Sequence, residues 1–240
     1  MIKRHWQICL VILCYLINIG WADNRLELTA PGGGEMDLGK NLMKYYASGS
    51  QLVTVRWDNY ILEAAYLEYY RNQSVLNGKD RVKLIQTKPE TRVLTSGVIQ
   101  LKLNSNFYTA SQDVVLTYDQ KTRISGGELE WDQARSKVRL TGEPLIVYGD
   151  WKISGTQIEG LIDQGLFMVT GKVRAANNEI TIVAGKLTFD RRTEQYILEN
   201  NPELVKGQSR LTASEIVYNL KTKKISAKGM VQSQIIKEKQ

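Results

Sequence analysis

The 240 residues carry 42% hydrophobic and 24% charged side chains, the proportions of an ordinary folded chain, which exclude disorder along its whole length. All-β sandwiches and barrels reach this size as one unit, so the length admits one large β domain or two small ones. Lysine and arginine number 32 against 25 aspartates and glutamates. That excess of +7 suits an acidic partner such as anionic lipid headgroups, but no basic cluster with interleaved aromatics accompanies it, so nucleic acid is not an expected partner.

Residues 1–22 read as a signal peptide. Lys3, Arg4 and His5 precede an apolar run from Trp6 to Ile19, and Gly20-Trp21-Ala22 closes it with small residues at the −3 and −1 positions of a cleavage site after Ala22. The run is shorter than the roughly 20 residues that cross a bilayer; its retention as an anchor is the alternative. Cys14 lacks the small residue that precedes a lipidated cysteine, so lipidation is not expected. Both cysteines, Cys9 and Cys14, and the only histidine, His5, fall in this segment. A processed chain therefore has no thiol, no disulfide, no imidazole base and none of the usual zinc or copper ligands. Carboxylate pairs remain as potential acids and bases, yet no spacing singles one out. The expectation is a binding or scaffolding module, not an enzyme, with no catalytic residues, metal or cofactor.

Residues 23–47 form an expected flexible lead-in around Pro31-Gly32-Gly33-Gly34. Residues 48–236 read as strands and turns, with near-alternation of apolar and polar residues over Gln51–Arg56, Val114–Tyr118 and Arg210–Tyr218. Leu62–Tyr70 is the best rival for a helix. Ala110–Gly127 reads as a compressed hairpin around Asp119-Gln120-Lys121-Thr122, and residues 237–240 as a charged tail.

The strongest pattern is an internal repeat of 29 residues. Leu129, Ile158, Leu187 and Ile216 recur at that interval, followed two positions on by Trp131, Gly160, Phe189 and Tyr218. A second apolar column is Val138, Phe167, Tyr196 and Ile225, with Leu140, Val169, Leu198 and Ala227 two residues later. Each unit closes at Gly142, Gly171, Asn200 or Gly229, residues that tolerate positive φ. Period-2 spacing places each apolar pair on one face of a sheet. Ile182 and Ala184 are out of phase with Leu187 and Phe189, which predicts a bulge or bend near Gly185 and, one unit earlier, near Gly155. In the N-terminal half, Leu62–Tyr69 matches Leu211–Tyr218, which makes it strand and adds Leu67 and Tyr69 to the columns.

The segment from Leu211 to Val231, LTASEIVYNLKTKKISAKGMV, resembles the repeat of the LptA/OstA-like family of periplasmic lipopolysaccharide transport proteins, related to LptC and the N-terminal domain of LptD. The pattern recurs from Glu128 to Leu145 and from Ala184 to Leu204; it departs at Gly160-Leu161-Ile162-Asp163, where aromatic-Asp is missing. The resemblance implies an all-β, elongated antiparallel β-jellyroll, an open β-roll built from two-strand units of about 29 residues, in the periplasm. It implies that the apolar columns line a site for the acyl chains of lipopolysaccharide or a similar glycolipid. Those residues are Leu67, Tyr69, Leu129, Trp131, Val138, Leu140, Ile158, Phe167, Val169, Leu187, Phe189, Tyr196, Leu198, Ile216, Tyr218 and Ile225. Other Lpt-type β-jellyroll components are the implied partners. From the columns alone, a filled core remains the competing reading, and the alternatives stay open between a lipid carrier, a membrane-anchored LptC-like component and a structural β-repeat envelope protein that binds no lipid.

An unclosed roll ends in strands with free N–H and C=O groups. The expected edges are Met230–Ile236, which is uncharged and lacks proline, and Leu52–Val55. Different edges at the two ends predict a head-to-tail homo-oligomer.

Overall fold

The computed structural model describes residues 26–235; the signal-peptide and charged-tail assignments, and Ile236, lie outside them. Every regular element longer than one 3-10 turn is a β-strand. In chain order these are β1 (Glu27–Thr29), β2 (Gly34–Asp37), β3 (Leu42–Tyr46), β4 (Val53–Trp57), β5 (Tyr60–Ala64), β6 (Tyr66–Tyr70) and β7 (Val75–Gln86). There follow β8 (Arg92–Lys102), β9 (Phe107–Thr117), β10 (Thr122–Asp132), β11 (Lys137–Thr141), β12 (Leu145–Tyr148), β13 (Trp151–Ser154), β14 (Gln157–Leu161) and β15 (Leu166–Ala176). The last are β16 (Ile180–Asp190), β17 (Gln195–Glu199), β18 (Glu203–Lys206), β19 (Ser209–Thr212), β20 (Glu215–Asn219), β21 (Ile225–Lys228) and β22 (Gln232–Gln234). Alternation makes them strands: in β17, Tyr196 and Leu198 are buried while Gln195, Ile197 and Glu199 stay partly exposed.

All pairings are antiparallel and sort into two layers of fourteen strand segments each. The first runs β1-β4-β5-β7-β8-β9-β10-β12-β13-β15-β16-β18-β19-β22. The second runs β2-β3-β6-β7-β8-β9-β10-β11-β14-β15-β16-β17-β20-β21. The six strands in both lists, β7, β8, β9, β10, β15 and β16, bend from one layer into the other. One long edge of the roll is therefore a row of backbone corners. The other is a row of turns from both layers, with no strand pairing between them among the described residues.

The corners explain the 29-residue interval. At each, two consecutive residues take positive φ: Asp80-Arg81, Gln112-Asp113, Gly142-Glu143, Gly171-Lys172, Asn200-Asn201 and Gly229-Met230. The neighbouring segment donates one N–H to the first residue of the pair, as from Gly127 to Gly142, Thr156 to Gly171, Gly185 to Asn200 and Ser214 to Gly229. The expected bends at Gly155 and Gly185 are these donor-side corners, and they bring Ile182 and Leu187 to the same interior.

Three expectations change. Each 29-residue period holds four strand segments, two per layer, rather than two; the first-layer hairpins are shorter and carry fewer inward apolar residues, so they leave a fainter mark. Residues 26–47 are not a loose lead-in: they supply β1, β2 and β3, and Leu26, Leu28, Ala30 and Tyr45 pack on the core. The hairpin at Asp119 is not compressed, because β9 and β10 each run 11 residues through both layers.

The corner geometry sets a stability test. An alanine at Gly142 would sit at φ 72°, with its Cβ 2.9 Å and 3.0 Å from the Gly127 Cα and N. Gly142→Ala is expected to lower the unfolding free energy by about 2 kcal/mol, since the left-handed region alone costs an L-residue roughly 1–2 kcal/mol. Asn200→Gly, at the equivalent corner, is expected to change it by less than about 1 kcal/mol. Urea denaturation of both variants measures the difference.

Candidate lipid-binding site

All sixteen residues expected to line a site stand on two continuous ladders of the second layer. The first passes Tyr45, Leu67, Gly78, Ile99, Ala110, Leu129, Leu140, Ile158, Val169, Leu187, Leu198, Ile216 and Ala227, each directly opposite the next. The second, nearer the turns, passes Met36, Met43, Tyr69, Leu76, Leu101, Tyr108, Trp131, Val138, Gly160, Phe167, Phe189, Tyr196, Tyr218 and Ile225. Fourteen of the sixteen are buried; Tyr69 is half-buried against the core, and Ile225, on the outermost strand β21, is 40% exposed. The departure at Gly160 has a packing cause. A Cβ there would lie 2.7 Å from Phe167 Cδ1 and 3.0 Å from Val138 Cγ2, so the Phe167 ring occupies the space of the missing side chain.

Sequence reasoning missed the facing wall. In the first layer Leu28, Val55, Leu62, Leu84, Leu94, Leu116, Ile124, Ile146, Ile153, Ala175, Ile182, Leu204 and Leu211 form a third ladder. Its signal was present, because Ile124, Ile153, Ile182 and Leu211 also recur every 29 residues. The two walls meet, and side chains fill the space between them. Two donors sit in that interior without a protein partner, Trp131 Nε1 and Tyr196 Oη. Burial pushes the Tyr196 hydroxyl far above its ordinary pKa.

Along the turn edge, side chains alone join the layers. Tyr60 of β5 meets Tyr108 and Trp131 edge-on, with ring centroids 6.2 and 6.3 Å away. Trp151 of β13 meets Tyr196 and Tyr218 at 5.2 and 5.8 Å. Between these aromatic groups lie polar bridges. The Tyr148 hydroxyl donates to Glu194 at 2.7 Å, and its pKa is pushed up to about 12 by burial first and then by that carboxylate. Arg92 donates to Asp163 at 2.8 Å and Arg191 to Asp119 at 2.6 Å. Partial burial raises the Asp163 carboxyl, but hydrogen bonds from Ser136 and Arg92 and the charge of Arg92 outweigh it and hold the group below its ordinary value.

The sequence matches no protein-family model. No curated protein matches it either. Among solved structures, the chain is similar to the crystal structure of LptH, the LptA homologous periplasmic component of the conserved lipopolysaccharide transport device from Pseudomonas aeruginosa. The two are 12% identical, the match covers 49% of this chain and 96% of that one, and the TM-score is 0.45.

The ladders predict unequal costs of truncation. Phe189→Ala, at a fully buried position, is expected to lower stability by about 3–5 kcal/mol. Ile225→Ala, on the exposed edge strand, should cost less than about 1 kcal/mol. Denaturant titration of the two variants gives both values.

Proposed function

We propose that this chain is an exported periplasmic module that carries lipopolysaccharide or a similar glycolipid, holding its acyl chains between the two layers. The observation that carries the reading is the pair of apolar ladders running the length of the second layer, faced by a third in the first layer. The layers share backbone bonds along the corner edge only, so the roll has a long side where they part without breaking a strand ladder. Each methylene transferred from water to such walls contributes about 0.8 kcal/mol, so a chain of a dozen carbons gains on the order of 10 kcal/mol before ordering costs. Trp131 Nε1 and Tyr196 Oη suit the ester or amide carbonyls of an acylated ligand. The repeat pattern from Leu211 to Val231 supports the same reading through its resemblance to the LptA/OstA-like family.

One observation favours a second reading. The walls already meet, as in a structural β-repeat protein that needs no ligand. A photocrosslinking side chain at Phe189 separates the two: it is expected to capture lipopolysaccharide, whereas one at Thr188, on the outward face, is not. Equal capture at both positions overturns the interior site. No capture at either, from protein that native mass spectrometry finds empty, supports the structural reading. N-terminal sequencing of the exported protein distinguishes a free carrier starting at Asp23 from an anchored form.

Assembly into longer rolls follows from the ends. The N-terminal edge is β1 and β2, not Leu52–Val55, because β4 is already paired on both sides. The C-terminal edge is β22 and β21. With fourteen segments per layer, an even number, the antiparallel alternation continues when a second copy is added head to tail. Extending every ladder by one step sets Leu28 opposite Ser233, and Met36, 55% exposed, opposite Ile225. Met36→Glu and Ile225→Glu, each alone, are expected to keep the protein monomeric. An equimolar mixture should give dimers and nothing larger, because one sound end of each kind remains. Sedimentation velocity measures this; chains persisting in either single variant would rule out the junction.

A further inference from the structure

The turn edge carries one cluster that lipid carriage by itself does not use. Arg92 opens β8 in the first layer, yet only 2% of it is exposed. Its guanidinium donates to Asp163 of the second layer at 2.8 Å, and within its own layer to Gln86 at 3.3 Å and to the Tyr118 hydroxyl at 3.4 Å. The Tyr118 hydroxyl in turn donates to the Ile162 carbonyl of the second layer. From the opposite side, Arg191 in the turn after β16 reaches Asp119 at 2.6 Å and Glu90 at 3.8 Å, both in first-layer turns. The two guanidinium carbons lie 4.7 and 4.5 Å from the centroid of the same Tyr118 ring.

Three features make this more than a set of surface ion pairs. The pairing is reciprocal: a first-layer arginine holds a second-layer aspartate, and a second-layer arginine holds a first-layer aspartate. The partners are 71 and 72 residues apart in sequence, so the bonds tie distant periods together. Two positive groups face the carboxylates of Glu90, Asp119 and Asp163, so the cluster has no excess of positive charge with which to hold an anion. Its interactions close on themselves, and what they close is the edge where no backbone ladder joins the layers. A cavity of about 500 Å³ borders it, lined in part by Glu90, Val93, Tyr118, Asp119 and Arg191.

We infer that Arg92, Tyr118, Asp163, Arg191 and Asp119 form a clasp across the seam of the roll, and that its opening controls lateral passage of acyl chains into and out of the space between the layers. The second half rests on the lipid reading above; the first does not. The corner edge is the hinge, since its backbone bonds hold in both states. Opening carries Arg92 from a dry, paired site into water, where a guanidinium is well solvated, so open and closed are two discrete arrangements rather than a continuum. Tyr118 couples the halves, because both guanidiniums stack on its ring.

The test uses Asp163→Asn and Arg191→Gln, each of which removes one charge of the clasp and keeps a similar shape. Lys186→Gln is the control, breaking a 2.7 Å pair with Glu199 that lies within one layer. Hydrogen exchange is expected to rise about tenfold or more, the factor that corresponds to ~1.4 kcal/mol of opening, in the turns at 87–91, 118–121, 162–165 and 191–194 of both clasp variants. The corner segments and the control should not change. Stopped-flow uptake and release of lipid A bearing a fluorescent acyl chain should both accelerate in the clasp variants, with the dissociation constant moving less than either rate. Unchanged exchange in the turns overturns the clasp. Faster exchange with unchanged uptake overturns its control of entry and places entry at the ends of the roll. A wild type that binds no lipid A refutes the lipid reading and the gating with it, while the exchange result still decides whether the seam is clasped.

Discussion

The chain must change layers about every fourteen residues without losing strand register, and the rest of the structure depends on how it does so. At each corner two successive residues enter the left-handed region, and one N–H from the neighbouring segment caps the first carbonyl. The extra residue of the bulge turns the strand and flips the parity of its side chains. Because the flip accompanies the change of layer, the apolar residues before and after the corner still face the same interior. Without it, Leu187 and Phe189 would point to solvent whenever Ile182 and Ala184 pointed inward.

Identical corners at equal intervals make a structure that grows by repetition. Each period adds two segments to each layer and extends every ladder by two residues, so burial accumulates along the roll and each period depends on its neighbours. The outer faces follow the same register with charge: Glu130 faces Arg139 across a strand pair, Lys137 faces Glu159, and Lys186 faces Glu199. Such exposed pairs contribute little stability singly, about 0–1 kcal/mol each. They keep the outer surface soluble while the inner ladders remain wholly apolar.

The two long edges differ in kind, and a functional asymmetry follows. Along the corners the layers are joined by continuous backbone. Along the turns they touch through aromatic rings and through the bridges at Arg92, Arg191 and Tyr148. At the corners a bent strand holds the same place in both layers. At the turns, Tyr60 on the third strand of the first layer packs against Tyr108 and Trp131 on the sixth and seventh of the second. The layers therefore cross at an angle, and contacts on the turn edge join parts of the chain that no local pattern relates. Parting the layers is easiest where they are held by side chains alone.

That difference divides what the sequence determined from what the tertiary structure decided. Strand identity, the 29-residue period and the inward-facing columns from Leu129 to Ile225 were legible, because alternation and equal spacing are local properties repeated many times. The bends at Gly155 and Gly185 were legible from the phase shift alone. The lead-in was misread because Pro31 and the glycines dominate its composition, whereas β1–β3 form only by pairing with β4 and β6. The first-layer ladder was overlooked because its segments are short, although its isoleucines keep the same interval. The clasp had no sequence signal at all: Arg92, Tyr118, Asp163 and Arg191 stand in four different turns, in no common pattern, and the crossing angle of the two layers alone brings them together. Periodicity fixes what each strand presents to its own sheet; which turns meet across the seam depends on how the sheets twist, and that is a property of all fourteen ranks at once.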